Sequence, residues 1–310
     1  MILVTGAAGT VGSKVIERLA STTKKVIAID NDLQACEKLS SHFSSRDLIK
    51  IVHDDICNAS IDKYFDGVSE IIHLAASKDI VNCESLVTEA IRTNIEGTRN
   101  ILDAAIKYVV PTLVFSSTDK AANPTSVLGM SKFLAERLVA EYSQKYSKKY
   151  YSIRFGNILG SSGSIVPLVI EKIKNGQPIT VTDVKMTRFV MTLDDAVDTL
   201  FNTVEQANGG DIFIKKMASV KIIDLIKAIV EKHKESGQFN YKIIGPRKAE
   251  KIHEELIGSE EISLTVESSD FWIITKPSSS LHRRCTSHPL SSDINLLSLE
   301  DVRQLVEGIC

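Results

Sequence analysis

The sequence has few features of membrane, secreted or nucleic-acid-binding proteins. Its longest apolar runs fall short of the roughly 18–20 residues that cross a bilayer. The N-terminal MILVTGAAG has no basic segment before its glycines, unlike a signal peptide. Lysine and arginine total 37 against 39 aspartate and glutamate residues, and no basic run occurs. We therefore expect no membrane or nucleic-acid partner.

Cysteine pairs suited to a disulfide framework or a zinc site are also missing. The five cysteines are odd in number, contain no Cys-x-x-Cys spacing and lie scattered at Cys36, Cys57, Cys83, Cys285 and Cys310. Ordinary thiols are the simplest interpretation. They fit a cytoplasmic protein without a metal site.

The chain does contain the alternation of strands and helices that is typical of an α/β fold. Its 310 residues, 43% hydrophobic and 25% charged, can build a sizeable core and about two domains. Short β-branched runs predict strands at 2–5, 25–30, 49–53, 70–75, 112–116 and 150–154. Apolar residues at three- and four-residue spacing predict helices at 11–20, 32–42, 85–107 and 129–146. This alternation predicts a doubly wound parallel sheet with helices on both faces.

A smaller, mixed α/β region follows from about Gly156. Its helices are predicted at 165–175, 194–207, 222–233 and from Ala249, its strands at 211–215 and 241–244, and an irregular loop at 277–292. We expect a dinucleotide-binding domain over 1–156, to which later segments return. Residues 157–310 are expected to form mainly a substrate domain and a C-terminal tail, packed over the carboxyl ends of the first domain's strands.

Three glycines follow the first predicted strand and open the first helix, as Gly6-Ala-Ala-Gly9-Thr-Val-Gly12. In this context Gly6 permits a tight turn, Gly9 lets the backbone approach a pyrophosphate, and Gly12 lets helix and strand pack closely. The phosphates would then sit at the helix N-terminus, where N–H groups are free. The pattern predicts a dinucleotide site, with a ligand-free glycine-rich turn as the alternative.

An aspartate, Asp30, ends the second predicted strand. A carboxylate there can accept hydrogen bonds from the ribose hydroxyls and would repel a 2′-phosphate, and no arginine follows it. NAD is therefore expected rather than NADP, with a strand-end turn former as the alternative. Asp55 and Ile56, after the third strand, would suit the adenine rim, although an Asx turn explains Asp55 equally well.

Polar residues follow the fifth predicted strand, in the order Ser116-Ser-Thr118-Asp119-Lys120. Strand carboxyl ends in an open α/β sheet face the crevice where ligands bind. A hydroxyl, a carboxylate and an ammonium group in consecutive positions there can perform acid–base chemistry. A polar turn with a surface Asp–Lys pair is the competing interpretation.

Six segments in chain order carry a wider resemblance: GAAGTVG, HLAASKDI (73–80), SSTDKAANPTSVLGMSK (116–132), RFGNILGSSGSIVP (154–167), MTRFVMT (186–192) and GPRKAEKIHEEL (245–256). Together they resemble the extended short-chain dehydrogenase/reductase superfamily. Within it they are similar to the UDP-N-acetylglucosamine 4,6-dehydratases of surface-polysaccharide and glycan biosynthesis. The resemblance covers roughly residues 1–260. It implies a Rossmann-type fold in a soluble form, without the membrane domain that many of these enzymes carry.

The resemblance implies dehydration of a UDP-sugar, UDP-N-acetylglucosamine, with NAD regenerated in each turnover. Hydride leaves C4 for the cofactor, the new ketone acidifies the C5 proton, water is lost with the 6-hydroxyl, and hydride returns to C6. By resemblance, Lys120 is the C5 base, Asp119 the acid for the 6-hydroxyl, and Thr118 lies near the C4 oxygen. Lys132 holds the nicotinamide ribose. We also expect Lys132 and the nicotinamide to disfavour the charge of Lys120.

One departure from the superfamily pattern lies four residues before Lys132. Short-chain dehydrogenases usually have a tyrosine there, whereas this sequence has Leu128. Several dehydratases of this branch carry methionine, and leucine is nearly isosteric with it. The C4 proton is then expected to leave through Thr118, Asp119 or water. An inactive relative is the alternative.

The resemblance also assigns binding residues. Besides the glycines and Asp30, the cofactor is expected to contact Thr10, Val11, Asp55, Ile56, Ala75, Lys78, Ser116 and Lys132. The UDP-sugar is expected to contact Lys78, Asn157, Val166, Pro167, Arg188, Arg247 and Glu250. The two arginines would clamp the diphosphate, since a guanidinium fork matches phosphate oxygens.

Two other classes of function stay open at this point. A sugar-nucleotide epimerase or simple oxidoreductase can use the same scaffold, because fold does not determine chemistry. A non-catalytic NAD-binding protein is supported only by Leu128. A homodimer or higher homo-oligomer is expected by resemblance alone.

Overall fold

A computed structural model describes residues 1–44, 46–233, 241–275, 283–284 and 291–309. The strands are β1 (Ile2–Thr5), β2 (Val26–Asp30), β3 (Ile49–His53), β4 (Glu70–His73), β5 (Thr112–Thr118), β6 (Lys149–Phe155), β7 (Asn157–Ile158), β8 (Ile179–Val181), β9 (Thr187–Met191), β10 (Ile212–Lys215), β11 (Ala218–Lys221), β12 (Tyr241–Ile243), β13 (Thr265–Glu267), β14 (Phe271–Ile274) and β15 (Arg283–Arg284).

Helices connect and cover these strands. The α-helices are α1 (Thr10–Ala20), α2 (Leu33–His42), α3 (Ile80–Ser85), α4 (Val87–Ile91), α5 (Thr98–Lys107), α6 (Val127–Tyr146), α7 (Ile165–Lys174), α8 (Leu193–Gln206), α9 (Ile222–His233) and α10 (Leu299–Glu307). A π-helical turn spans Arg92–Gly97, and short 3₁₀ turns span Ile61–Tyr64, Asp119–Ala121 and Ser259–Leu264. No helix within these described ranges is long and apolar enough to span a membrane.

The largest sheet confirms the predicted doubly wound α/β fold. Its strand order is β3-β2-β1-β4-β5-β6-β10-β14-β13-β15. Neighbours from β3 to β10 pair in parallel, and β14, β13 and β15 continue the sheet in antiparallel pairs. The chain order reverses between β1 and β4, and in such sheets the crevice at this switch point is where ligands bind.

The apolar strands of this sheet are buried on both faces. In β1, Ile2 and Val4 belong to one core cluster while Leu3 belongs to another. Strand β2 alternates in the same way. Successive side chains of a strand point to opposite faces, so a continuous apolar run fills a core on each side of the sheet.

The later part of the chain extends this sheet and also builds a separate core. Strands β10, β13, β14 and β15 belong to the large sheet, whereas β11-β9-β7 and β12-β8 form two small ones. Helices α7, α9 and α10 bury a third core cluster with β8, β9 and β11. The loop before α7 lies against α1, since Ser162 N–H donates to Thr10 Oγ1 at 3.1 Å. Lys78 Nζ donates to Ser162 O at 3.3 Å. These contacts close one side of the crevice.

The prediction of one continuous helix at 85–107 is wrong. A helix begins earlier, at Ile80, where the Asp79 carboxylate accepts the Asn82 N–H. It is interrupted at Leu86, whose φ of −124° and ψ of 61° lie outside the helical region. The chain then continues through α4, the π-helical turn and α5.

The helix predicted from Ala249 is also wrong. Ala249 has a φ of 63°, in the left-handed region, which a right-handed helix does not accommodate. The segment forms a turn instead, in which Glu250 N–H donates to Arg247 O at 3.1 Å. In the loop predicted at 277–292, Arg283 and Arg284 form β15 by pairing with β13. The rest of that loop up to residue 290 lies outside the described residues, as do Cys285 and Cys310.

Candidate active site

A cavity of about 800 Å³ opens at the carboxyl ends of β1, β2 and β4, beside the first turn of α1. The predicted cofactor residues that line it are Gly6, Gly9, Thr10, Val11, Gly12, Asp30, Asp55, Ile56, Ala75 and Lys78. Two further ones, Ser116 and Lys132, line an adjoining cavity. The fold thus gathers residues that are far apart in sequence into one cleft.

The glycines of the first loop leave room that a side chain would fill. Gly6 has a φ of 67°, and a Cβ there would lie 2.6 Å from the Ala75 backbone nitrogen. A Cβ on Gly12 would lie 2.1 Å from Gly6 O. Gly9 precedes α1 without any side-chain cap, so the first N–H groups of the helix are left for a ligand. This cradle fits the pyrophosphate of a dinucleotide.

The Asp30 carboxylate is fixed at the rim of this cavity by two backbone amides. Its Oδ2 accepts the Ala8 N–H at 2.9 Å, and its Oδ1 accepts the Asp32 N–H at 3.1 Å. Each carboxylate oxygen has two acceptor positions, so Asp30 can still accept hydrogen bonds from ribose hydroxyls. These free acceptor positions therefore fit the ribose hydroxyls of a dinucleotide.

Asp55 lines the cavity and also forms the Asx turn that was its alternative explanation. Its Oδ1 accepts the Cys57 N–H at 2.9 Å, and its Oδ2 lies 3.1 Å from Arg92 Nη2. Turn formation and cavity lining coexist at this residue.

A smaller cavity of about 230 Å³ adjoins the first and shares with it Val11, Leu74, Ala76, Lys78, Gly156 and Ile158. Its other walls include Ser116, Thr118 and Lys120 at the end of β5, and Leu128 and Lys132 on α6. The two cavities are therefore parts of one cleft. We expect the smaller part to hold a reacting group beside a bound dinucleotide.

Thr118, Asp119 and Lys120 form a hydrogen-bonded cluster at the end of β5. Thr118 Oγ1 and Lys120 Nζ each donate to Asp119 Oδ1 at 2.9 Å. Lys120 Nζ also donates to Asn157 Oδ1 at 3.3 Å. Asp119 is fully buried, whereas Thr118 and Lys120 line the cavity. The carboxylate thus reaches the cavity only through these two neighbours.

The charge of Lys120 is stabilised, contrary to the expectation that its neighbours disfavour it. Burial by itself lowers the pKa of Lys120, but the nearby carboxylates of Asp119 and Glu254 outweigh it and raise the pKa overall. The ammonium lies 2.9 Å from Asp119 Oδ1 and 3.8 Å from Glu254 Oε1. Lys120 is therefore protonated in this structure at neutral pH.

Lys132 shows the opposite shift. Ser126 caps α6 by accepting the Gly129 N–H, and Lys132 follows in the second turn. Its Nζ donates to Ser116 O at 2.8 Å and lies 4.5 Å from the centre of the Phe115 ring. Burial lowers the pKa of Lys132 to about 7. A bound dinucleotide would therefore meet an amine that changes charge near neutral pH.

Leu128 occupies the position where a tyrosine hydroxyl would face the cavity. The side chain lines the smaller cavity and packs against Cys83 and Ala90. It supplies no donor or acceptor. Thr118, on the same cavity wall, carries a hydroxyl and is itself hydrogen-bonded to a carboxylate.

The predicted substrate residues fall into different environments. Asn157 contacts Lys120 and so belongs to the cluster at the end of β5. Val166 is buried in the third core, which leaves half-buried Pro167 and exposed Leu168 as the accessible side chains of that turn. Lys78 lines both cavities.

Arg188 is buried, and most of its donors are used within the protein. Its Nη1 donates to Thr187 O at 2.7 Å and to Ile252 O at 3.1 Å, and its Nη2 donates to Lys251 O at 2.9 Å. The Glu250 carboxylate lies 3.6 Å from Nη2. This guanidinium thus holds the 250–252 segment in place and has little capacity left for a diphosphate.

Arg247 is exposed, in a surface groove that it lines with Ile80, Val81, Glu84, Ser85 and Lys248. It does not line either part of the cleft. Glu250 accepts the Arg247 backbone N–H at 3.2 Å. The fold therefore separates the two arginines that the sequence paired.

Glu254 is a cluster residue that sequence reasoning missed. It is 3% exposed and lies close to Lys120 and to Arg188, whose Nε is 3.9 Å from Glu254 Oε1. The only signal in the sequence was its place in GPRKAEKIHEEL, where two other glutamates, Glu250 and Glu255, compete for the same role. The described residues contain no group of His, Cys, Asp and Glu side chains suited to a metal ion.

Comparison with known proteins defines the family. Residues 2–276 match the family described as "Polysaccharide biosynthesis protein". The chain belongs to this family. It is 34% identical to an uncharacterized membrane protein of Methanocaldococcus jannaschii, over 99% of this chain and 95% of that protein. It is also 34% identical to a UDP-glucose 4-epimerase of Rickettsia rickettsii, over 88% and 82% of the two chains.

Solved structures place this family member on a known scaffold. The X-ray structure of Pen from Bacillus thuringiensis is 33% identical and superimposes with a TM-score of 0.93, over 99% of this chain and 96% of that one. The fold is shared with DesIV, a dTDP-glucose 4,6-dehydratase of Streptomyces venezuelae solved with NAD, at 20% identity and a TM-score of 0.74, over 81% and 86% of the chains. The chain is thus a member of the polysaccharide biosynthesis family that is similar to proteins named UDP-glucose 4-epimerase, and it shares the fold of a dTDP-glucose 4,6-dehydratase.

Proposed function

We propose that the protein is a NAD-dependent 4,6-dehydratase of a UDP-N-acetylhexosamine, with UDP-N-acetylglucosamine as its substrate. The observation that carries this proposal is the cluster at the end of β5. An ammonium group and a hydroxyl face the smaller cavity, with a buried carboxylate bonded to both. Epimerisation at C4 moves a hydride and one proton, whereas loss of the 6-hydroxyl needs an additional acid and base.

The dinucleotide would occupy the larger cavity. Gly6, Gly9 and the first turn of α1 would hold its pyrophosphate, Asp30 its adenosine ribose and Lys132 its nicotinamide ribose. The charge of Asp30 favours NAD over NADP. The chemistry that bound NAD supplies is reversible hydride uptake, which turns the C4 alcohol of the sugar into a ketone.

The protons of the reaction are assigned to the cluster. The C4 hydroxyl gives its proton to the Asp119 carboxylate through the Thr118 hydroxyl, with which it shares a hydrogen bond. Asp119 returns that proton to the 6-hydroxyl, which leaves as water. Lys120 Nζ, as a neutral amine, takes the C5 proton that the C4 ketone has acidified. It gives the proton back to C5 at the end, so the net change is the loss of one water.

The UDP part of the substrate would extend away from this cluster. Arg247 is the proposed diphosphate contact, because its guanidinium is exposed while that of Arg188 is engaged. Glu250 is proposed to bind ribose hydroxyls. Pro167 and Leu168 provide apolar surface for the uracil. Family membership supports a role in making a surface polysaccharide or glycan.

A second candidate is a UDP-hexose 4-epimerase, which is favoured by the relatives of that name at 33–34% identity. Incubation of the protein and NAD with UDP-N-acetylglucosamine, and separately with UDP-glucose, distinguishes the two by mass spectrometry and NMR. We expect a product that has lost one water from UDP-N-acetylglucosamine. A product of unchanged mass with an inverted C4 would replace the dehydratase by the epimerase.

A further inference from the structure

Glu254 is a buried carboxylate near the Lys120 ammonium, on the chain segment that follows the turn at Ala249. Its Oε1 lies 3.8 Å from Lys120 Nζ, and its Oε2 has no hydrogen-bond partner among the described residues. Burial of a carboxylate oxygen without a hydrogen-bond partner destabilises the fold. Its presence near Lys120 therefore indicates a function.

The proton balance of the proposed function leaves one proton without a destination, and the inference rests on that function. Lys120 is charged in this structure, yet it has to be a neutral amine before it can accept the C5 proton. Asp119 is not available to receive the Lys120 proton, because it takes up the proton of the C4 hydroxyl. Another group near Lys120 Nζ has to accept it.

We propose that Glu254 is a positioning residue that acts through Lys120 by receiving its proton before C5 is deprotonated. One N–H bond of the Lys120 ammonium breaks and one O–H bond forms on the Glu254 carboxylate, so a charged pair becomes a neutral pair. The reverse transfer restores the ion pair after turnover. The charge of the cluster as a whole does not change.

Its surroundings suit Glu254 to this role better than Asp119. Each carboxylate has one oxygen without a hydrogen-bond partner among the described residues, Asp119 Oδ2 and Glu254 Oε2, but Asp119 Oδ1 accepts hydrogen bonds from Thr118 and Lys120, and these stabilise its charge. Glu254 Oε1 lies 3.8 Å from Lys120 and 3.9 Å from Arg188, beyond hydrogen-bond distance. A modest approach, or one bridging water, would bring Glu254 and Lys120 into contact when substrate binds.

The ionisable groups that face Glu254 act in both directions. Burial raises the pKa of the Glu254 carboxyl, and the negative charge of Asp119 raises it further. Lys120, Arg188 and Lys251 lower it, but the net shift is upward. Burial favours the neutral forms of both Glu254 and Lys120, which brings the neutral pair closer in free energy to the ion pair.

The first test compares Glu254→Gln with Glu255→Gln, a matched control at a half-buried glutamate that pairs with Lys251 instead. Glutamine keeps the shape of Glu254 but cannot take up a proton. We expect kcat and the rate of solvent-deuterium incorporation at C5 to fall roughly 10²-fold with little change in KM. Glu254→Asp should restore part of the rate, and Glu255→Gln should match the wild type.

A purely electrostatic role for Glu254 predicts the opposite result. Removal of its negative charge lowers the pKa of Lys120 and makes the neutral amine more abundant, so C5 exchange would then stay the same or become faster near neutral pH. Either result would overturn the proposal. The circular dichroism spectrum and melting temperature of each variant show whether it is folded.

A second test needs no turnover, and so separates this inference from the proposed function. Lys120→Met makes residue 120 permanently neutral, and Glu254 should then hold a proton at neutral pH. We expect a protonated-carboxyl stretch in the infrared spectrum of Lys120→Met that is absent from Lys120→Met/Glu254→Gln. No such band would overturn the inference. Lack of any dehydration by the wild type, with the band present, would instead overturn only the proposed function.

Discussion

Lys120 and Lys132 line the same cavity, yet their pKa values are shifted in opposite directions. Lys132 is buried and Lys120 is partly buried, and the loss of solvent lowers the pKa of each. Lys120 Nζ lies 2.9 Å from Asp119 Oδ1, and the carboxylates raise its pKa overall. Lys132 Nζ donates to the uncharged carbonyl of Ser116, so burial lowers its pKa to about 7. Two lysines in one site thus start from different charge states.

The stability of the protein should depend on pH through Lys132. Its pKa is about 7 when folded against the usual 10.5, so between these values the unfolded chain binds more protons. Stability should therefore rise with pH across this window, by up to ~4 kcal/mol at about 1.36 kcal/mol per pKa unit. Urea denaturation between pH 6.5 and 9.5 measures this dependence. Its slope should be at most about 1.36 kcal/mol per pH unit, and Lys132→Met should flatten it. Parallel curves for Lys132→Met, the wild type and the exposed-site control Lys38→Met would contradict it.

Asp119 and Lys120 should affect different steps. Lys120→Met should still produce the absorbance of reduced nicotinamide on addition of UDP-N-acetylglucosamine, because the C4 proton leaves through Thr118 and Asp119. It should form no dehydrated product and exchange no C5 proton. Asp119→Asn should slow the appearance of reduced nicotinamide itself, by roughly 10²-fold, since the acceptor of the C4 proton is lost. Stopped-flow absorbance and mass spectrometry measure the two steps.

Dehydration by Lys120→Met at a near wild-type rate would contradict this mechanism. Residues 118–120 would then be a polar turn without a catalytic role. Equal loss of the nicotinamide signal in both variants would mean that the two groups act together in the first step. Titration of NAD into each variant provides the control, because neither side chain lines the larger cavity.

Arg188 and Arg247 should differ in what they contribute. Arg188→Ala leaves three backbone carbonyls without their donor in a buried site, so the free energy of unfolding should fall by about 3 kcal/mol. Arg247→Ala removes an exposed side chain and should leave the melting temperature unchanged while raising KM for the UDP-sugar about tenfold. Calorimetry and steady-state kinetics test the pair. An unchanged KM in Arg247→Ala would place the diphosphate elsewhere.

Asp30 should determine the choice of dinucleotide. Asp30→Ala should weaken NAD binding by about tenfold, since a charge-assisted hydrogen bond is lost, and should narrow the difference between NAD and NADP. Isothermal titration with both dinucleotides measures this, with Asp66→Ala as the control at an exposed aspartate. A wild-type protein that binds NADP more tightly would show that the assignment of Asp30 is wrong.

Local sequence patterns were sufficient to predict the strands and helices whose own apolar side chains fill the core. The alternation of apolar runs and amphipathic segments predicted the doubly wound sheet, because a strand buried on both faces has to be apolar throughout. Sequence patterns failed to predict the ends of helices where the backbone torsion angles of a single residue interrupt the helix. Leu86 interrupts a helix-like sequence, and the left-handed Ala249 replaces a helix by a turn.

The composition of the cleft was readable from the sequence, but its charge states were not. GAAGTVG, the aspartate that ends β2 and the Thr-Asp-Lys run lie at strand ends, and strand ends meet at one edge of a parallel sheet. The pKa values of Lys120 and Lys132 depend on burial and on carboxylates that are distant in sequence. Glu254 lies near Lys120 in a segment whose backbone Arg188 holds at residues 251 and 252 and whose Glu254 N–H donates to Ser292 Oγ. A side chain's type is a local property, whereas the dielectric and the charges around it belong to the tertiary structure.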